Sequence, residues 1–363
     1  TAYEIKECDW SSDVALPISL RATPAPSIRP ATPPRGGGLQ DKLRDAWRRW
    51  RGPARSETFA TPAEVFRSTA RRFPTAIAAS DGAARVTYAE LDAASDHCAN
   101  LLRAHGARVG AVVAVDLPSS IERVIVVVAI AKLGAVYLPL DATLPEKRRA
   151  FILETAGASL CVASSGPYAD GEGDLRQISI EAIRACLSKT ESGEASAAAT
   201  IDPDSPAYIC FTSGSTGRPK GVAIANKSLA TFAPDAAARF SIRPGARVAL
   251  NTAPGFDVAV GELWMALSGG ACLVATEARR SFVGGKLAEF LDAATITLLA
   301  VTPSVLRSVP PRPLRALGCI IAAGEACPPD LVATWGRGRA FFNAYGPTEA
   351  TVYATVEIGR AHV

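Results

Sequence analysis

Apolar and polar positions along this chain predict strands and helices in regular succession. "GAVVAVDLPSSIERVIVVVAIAKLGAVYLPLD" (110–141) opens on a short unbroken apolar run and then reaches a Ser pair suited to capping a helix. An apolar stretch follows, ended by Gly134, and a second apolar run closes the segment. Unbroken runs of this length predict strands buried on both faces, hence a β-α-β unit in a parallel sheet. Upstream, "TPAEVFRSTARRFP" predicts a helix with Thr61 as cap, Pro62 in the first helical position and Glu64 in the third. "VTYAELDAASDHCANLLRAHG" predicts a strand start and then a helix ended by Gly106, and "PEKRRAFILETAGASLCVAS" a helix followed by a strand. From Ala207 the order is strand, Gly-rich loop, strand, helix. Then come "ARVALNTAP", a helix near "VAVGELWMALSGG", strand "ACLVA", a helix near "GGKLAEFLDAA", strands "TITLLAVT" and "CIIAAG", a helix near "PPDLVATWG" and strand "AFFNAYG". Such alternation predicts a layered α/β fold.

The N-terminal region follows another pattern. Residues 11–38 are rich in Pro, Ser, Gly and Arg, a composition that buries little apolar surface and predicts a linker. Leu39, Leu43, Trp47 and Trp50 then recur at helical spacing among basic residues. Two readings stay open for that helix: docking on a neighbouring domain, or packing on its own globule. Residues 164–206 predict a polar bridge. The expected division is therefore 1–56 as linker with a short basic amphipathic helix, 57–205 as a first α/β subdomain, and 206–363 as a second.

Composition narrows the function. A chain of 363 residues, 48% hydrophobic, is long enough for two packed α/β units. A net charge of +4 is too mild to argue for nucleic acid. The eight cysteines are scattered without a C-x-x-C pair and predict small core residues in a reducing compartment. With only three histidines, a His-based metal cluster or a Ser-His-Asp triad is disfavoured, and His97 and His105 are expected to be structural. The longest apolar run, near 124–131, is shorter than the ~20 residues that span a bilayer. No signal peptide opens the chain, so a cytoplasmic location is expected.

Two stretches carry candidate chemistry. In "YICFTSGSTGRPKG" (208–221) a strand runs into a Gly/Ser/Thr loop followed by Arg218 and Lys220. Such a loop turns several N–H groups and hydroxyls toward one anion. It differs from the P-loop motif, in which Lys is followed by Ser or Thr at a helix start. Here Gly221 follows the Lys and "VAIAN" reads as a strand, so the loop would close over phosphates between two strands. On composition alone a surface turn is the competing reading. Asp257 lies in apolar surroundings and also has two readings: a helix cap, or a partner for a cation, since an unpaired buried charge is costly.

The loop resembles the phosphate-binding signature of the adenylate-forming family, most closely that of non-ribosomal peptide synthetase adenylation domains. The resemblance spans roughly 57–357 and includes "VTYAELDAASDHCANLL", "KLGAVYLPLDATLPEKR", "FDVAVGELWMAL" and "NAYGPTEATVYAT" in family order. It implies two packed layered α/β subdomains of the adenylate-forming large domain. It also implies the reaction: ATP and an α-amino acid give an aminoacyl-adenylate and pyrophosphate, followed by transfer to the phosphopantetheine thiol of a carrier domain. By the resemblance, Thr212, Ser213, Gly214, Ser215, Thr216, Gly217 and Lys220 hold phosphates. Gly324, Glu325, Ala326, Asn343, Tyr345, Gly346 and Thr348 complete the ATP site, and Glu349 is the Mg²⁺ ligand. Thr212, Lys220 and Glu349 are the catalytic candidates. Phe256, Asp257, Val258, Gly261, Ala300, Ile321, Ala323, Ala344, Val352 and Tyr353 line the amino-acid pocket, with Asp257 receiving the α-ammonium. Apart from Asp257 none of these is charged, which disfavours Asp, Glu, Lys and Arg as substrates. Gly261, Ala300, Ala323 and Ala344 leave volume for a large apolar or aromatic side chain, and Tyr353 offers a hydroxyl to a polar tip.

The sequence departs from the family pattern near its end. No "TGD" segment, hinge, C-terminal lid with its lysine, or β-rich third part is recognised, so weak nucleotide binding and almost no turnover are expected of these residues alone. Adjacent synthetase domains are the implied partners. An acyl- or aryl-CoA ligase of the same family is the alternative enzyme, and a non-catalytic adenylation-domain scaffold is the alternative outside catalysis.

Overall fold

A computed structural model describes residues 2–4, 61–141, 143–164, 175–188, 200–213, 219–276 and 282–358, with residues 2–4 and 213 described by backbone alone. The linker at 11–38, the basic helix after it, Cys8 and loop residues 214–218 lie outside the described residues.

Two sheets form the frame. The first has the order β1-β9-β8-β5-β4-β6-β7. Its strands are β1 (Ala2–Glu4), β4 (Val112–Asp116), β5 (Val136–Pro139), β6 (Leu160–Ala163), β7 (Arg176–Ser179), β8 (Pro206–Ser213) and β9 (Pro219–Ala225). Strands β4 to β8 run parallel, while β9 pairs antiparallel with β8 and β1 antiparallel with β9. The second sheet has the order β15-β14-β13-β12-β10-β11-β2-β3. It comprises β2 (Ile77–Ser80), β3 (Arg85–Thr87), β10 (Arg247–Leu250), β11 (Cys272–Ala275), β12 (Leu298–Val301), β13 (Cys319–Ala323), β14 (Ala340–Tyr345) and β15 (Thr355–Ile358). It is parallel except for its two antiparallel edges, β3 and β15. The sheets do not divide at residue 206: β8 and β9 complete the first, and β2 and β3 belong to the second.

Six helices fill the space between the sheets: α1 (Pro62–Arg72), α2 (Tyr88–Ala104), α3 (Ile121–Leu133), α5 (Ile180–Leu187), α6 (Asn226–Arg239) and α7 (Asp257–Gly269). The short α4 (Glu146–Thr155) covers the outer face of the first sheet. α8 (Gly284–Ala293), α9 (Pro303–Ser308) and α10 (Pro329–Trp335) cover that of the second. The period of two along each strand explains the unbroken apolar runs. Tyr208 and Cys210 of β8 face the central layer while Ile209 faces outward, and Cys319, Ile321 and Ala323 of β13 face inward while Ile320 and Ala322 face outward.

Local signals end the helices where the sequence predicts. Thr61 and Glu64 exchange capping-box hydrogen bonds, as do Thr87 and Glu90. Gly134 closes α3 at φ 67°, a left-handed conformation that glycine adopts without steric cost. His105 Nδ1 lies 2.9 Å from the Leu101 carbonyl, in keeping with a structural role. The cysteines of the described residues are free, six buried and Cys327 half-buried. No described helix is long and apolar enough to cross a membrane.

Candidate active site

In parallel sheets the carboxyl ends of strands open onto ligand clefts. β8 ends at Ser213, β13 at Ala323 and β14 at Tyr345, and α7 starts shortly after β10. The predicted site residues therefore gather at one kind of strand end.

The phosphate-loop candidates straddle a hairpin. Thr212 pairs with Lys220, and Ser213 with Pro219, across β8 and β9. Lys220 thus continues into a strand and not a helix, as its sequence context predicts. β9 packs against the 3₁₀ turn Thr348–Ala350, which carries the exposed Glu349. That contact brings the strand that leaves the loop to the metal candidate. Among the described residues no cluster of three or more His, Cys, Asp or Glu is assembled for a metal. A divalent ion here would take Glu349 as its protein carboxylate and fill its shell from phosphate oxygens and water, a hard-oxygen set that fits Mg²⁺.

Asp257 opens α7. Its neighbour Phe256 occupies the N-cap position without a side-chain cap bond, so the carboxylate is not the cap. Burial raises the Asp257 pKa above the usual carboxylate range and nearby Glu349 raises it further, while the Thr348 side chain and the backbone N–H groups at 257 and 258 oppose the shift by hydrogen bonding. α7, the 348–350 turn and β8 therefore converge on one acidic point.

Four of the remaining pocket candidates share one sheet face. Ala300 is in register with Ile321, and Ala323 with Ala344. All four are buried in the core between the sheets, together with Val260 and Leu263 of α7. Gly261 requires a correction to the expected volume. A Cβ built there lies 2.9 Å from Val352 Cγ1 and 3.6 Å from Phe232 Cζ, so the space left by glycine is already filled by valine. Val352 and Thr351 both have φ 65°, an uncommon left-handed conformation for β-branched residues. Tyr353 follows, its ring 5.9 Å from Phe232 and 6.1 Å from Phe240, with a buried hydroxyl that makes no hydrogen bond.

The exposed candidates divide. Tyr345 on the adenine side and Phe256 of the amino-acid pocket are 69% and 65% accessible, free to stack on a ligand. Asn343 lies two residues before Tyr345 on β14, in register with Ala322 and Glu357. Gly324 has φ 84°. Glu325 is engaged elsewhere: its carboxylate accepts from Ser304 N (2.9 Å) and Ser304 Oγ (2.7 Å), tying the exposed segment 324–326 to α9.

Sequence reasoning missed a buried polar group behind this pocket. Glu262 of α7 is fully buried and accepts from Thr252 Oγ1 at 2.5 Å and from Thr252 N. Burial pushes its pKa up to about 8 against those hydrogen bonds. Arg123 of α3 is 2% exposed and lies beside Tyr137, Glu262 and Cys210. The signal was present in the sequence as a carboxylate and a guanidinium within apolar helices, the argument applied to Asp257.

Comparison with known proteins gives the family and the fold. The AMP-binding enzyme family matches residues 66–362, and the chain belongs to it. It is 34% identical over 304 residues to novobiocin biosynthesis protein H of Streptomyces niveus, covering 82% of this chain and 50% of that protein. It is 36% identical over 298 residues to phosphinothricin tripeptide synthetase PhsC of Streptomyces viridochromogenes, covering 80% of this chain and 27% of that one. The chain thus spans half or less of these curated relatives. Among solved structures, the artificially fused adenylation-PCP di-domain NpsA-ThdA of Klebsiella oxytoca matches with TM-score 0.74 at 25% identity over 84% of this chain and 61% of that one. The N-terminal subdomain of K. oxytoca NpsA, in complex with 3-hydroxybenzoyl-AMSN, matches with TM-score 0.72 at 24% identity over 82% of this chain and 75% of that one. The fold is that of the N-terminal subdomain of adenylation domains.

Proposed function

We propose that this chain forms the nucleotide- and amino-acid-binding core of a non-ribosomal peptide synthetase adenylation domain. The substrate carboxylate oxygen attacks the α-phosphorus of ATP, the bond from that phosphorus to the bridging oxygen breaks, and pyrophosphate leaves. No proton is transferred. Both reactants are anions, so the protein's contribution is positioning and charge neutralisation. Thr212, Lys220 and the hydroxyl-rich loop between them would hold the departing phosphates, Tyr345 would stack on adenine, and Asn343 would meet its edge. Mg²⁺ held by Glu349 would neutralise charge on the phosphates. Transfer to a carrier-domain thiol and contact with adjacent synthetase domains follow from the same reading, as does a cytoplasmic setting.

Asp257 is the observation that favours an α-amino acid over an aryl or acyl acid. A half-buried carboxylate at the start of α7, already disfavoured by burial and by Glu349, gains a counter-ion when an ammonium arrives. The small residues Ala300, Ala323 and Ala344 favour a large, mostly apolar or aromatic side chain. Calorimetric titration of the chain in Mg²⁺ and AMPPNP with α-amino acids and with their des-amino analogues tests the assignment. Tighter binding is expected of the amino acids, and equal binding of the analogues would overturn it.

A further inference from the structure

Arg123 is a buried cation without a carboxylate partner among the described residues. Its Nε and Nη1 atoms make no hydrogen bond of good geometry, and neither do the buried hydroxyls of Tyr208 and Tyr353; the Tyr137 hydroxyl, also without such a bond, interacts with the guanidinium itself. Lys132, ten residues on in the same helix and just as buried, shows what satisfaction looks like here. Its Nζ donates to Asp92 Oδ1 (2.6 Å), Asp96 Oδ1 (2.8 Å) and the Asp92 carbonyl (2.7 Å). Buried polar groups in folded proteins are nearly always paired, so Arg123 and the Tyr208 and Tyr353 hydroxyls together call for an explanation.

Their placement supplies one. Tyr208 and Cys210 lie on the same face of β8, and both feel the Asp257 carboxylate. Cys210 also feels the Arg123 guanidinium. On α7, Glu262 stands one turn beyond the pocket candidate Val258, on the same helical face, and it too feels Arg123. Tyr353, itself a pocket candidate, feels both Glu262 and Asp257. The guanidinium thus lies near Glu262, which stands little more than one turn beyond the carboxylate that would hold the α-ammonium. All the unpaired atoms can donate a hydrogen bond. A matching ligand group is an oxygen acceptor.

We propose that Arg123 sets side-chain specificity by donating to an oxygen acceptor at the far end of the substrate's side chain. The inference rests on the amino-acid-activating reading. It changes the expectation drawn from the lining residues, because Arg123 is not one of them: an oxygen-bearing or acidic tip becomes favourable, and a purely hydrocarbon side chain leaves the guanidinium unpaired. A site built to pair with a substrate oxygen rejects the analogue lacking it far more strongly than an apolar pocket rejects a missing methylene.

Calorimetric titration of the 363-residue chain in Mg²⁺ and AMPPNP tests this, using pairs that differ in one oxygen function. The pairs are L-tyrosine with L-phenylalanine and L-glutamine with L-norleucine, with L-glutamate as the charged arm. At least one oxygen-bearing member is expected to bind more than about tenfold more tightly than its partner. Arg123→Met should erase that preference while leaving the hydrocarbon partner within about twofold, and Arg123→Lys should keep part of it. Circular dichroism establishes that each variant folds, and Arg123→Lys carries the comparison if Arg123→Met does not. Two outcomes overturn the proposal: hydrocarbon members that bind as well as oxygen-bearing ones, or variants that lower every affinity equally, in which case Arg123 is only a countercharge for Glu262. The des-amino pair 4-hydroxyphenylpropionate and phenylpropionate separates the two readings. Tight binding of these acids with the Arg123-dependent preference intact sinks the amino-acid assignment and keeps the role of Arg123.

Discussion

Replacing Glu262 by Gln should stabilise the protein increasingly as pH rises. The carboxyl is fully buried, and burial moves its pKa from an ordinary 4.5 to about 8. The direction of the effect follows from proton binding. Between those two values the folded state keeps a proton that the unfolded state has released, so stability is highest below about pH 4.5 and declines until the folded carboxyl ionises near pH 8. At 1.36 kcal/mol per pH unit the full decline is up to about 5 kcal/mol, less whatever relaxation of the surroundings recovers. Glutamine keeps the shape and both contacts to Thr252, accepting from its N–H and donating to its Oγ1, but does not titrate. Urea unfolding followed by the fluorescence of the buried Trp264 gives the comparison at pH 5.5 and 8.5. Subtracting the two proteins cancels the distant titrating groups. The variant's advantage should grow by about 2–3 kcal/mol between those pH values. A difference that stays flat with pH would refute the assignment of a neutral, buried carboxyl.

Asp257→Ala should weaken α-amino-acid binding by about 1.5–3 kcal/mol while leaving the des-amino acid unchanged, as read by calorimetry. Gly346→Ala should cost about 1–3 kcal/mol in urea unfolding, because the added Cβ would sit 2.7 Å from the Val352 oxygen and the Ala354 nitrogen, both backbone atoms. Glu325→Ala frees the loop that Ser304 anchors, so nucleotide affinity should fall severalfold with little change in melting temperature; an unchanged affinity would show that the loop's position does not depend on this clamp. Glu349→Gln should remove most of the Mg²⁺ dependence of AMPPNP binding, and a variant with the normal dependence would place the metal elsewhere.

The fold was readable wherever a periodic signal was strong. The apolar run from Val124, the capping box at Thr61 and the stop at Gly134 each predict an element that is present. The assignment of strands to sheets was less legible. Sequence order suggests that β8 and β9 begin a new unit, yet both extend the first sheet, while β2 and β3 join the second. Nothing local encodes that choice, because pairing between distant strands depends on which faces the central helices cover. Two residues named for a chemical need, Asp257 and Glu349, do lie near one another. The site was not legible at Gly261, where composition suggested room that Val352 fills from 91 residues away.

The two carboxylates of α7 show why position decides chemistry here. Asp257 and Glu262 are little more than one turn apart, and burial acts against ionisation of both. Asp257 lies in the first turn, where unpaired backbone N–H groups and the helix dipole favour an anion, and Thr348 donates to it as well. Glu262 lies deeper, past the reach of those end effects, and keeps Thr252, the Asn251 backbone and the field of Arg123. The same helix thus holds a carboxylate available to a cation at its mouth and a protonated carboxyl in its interior. On the proposed reading an ammonium is recognised at the first position, and Arg123 acts on the second.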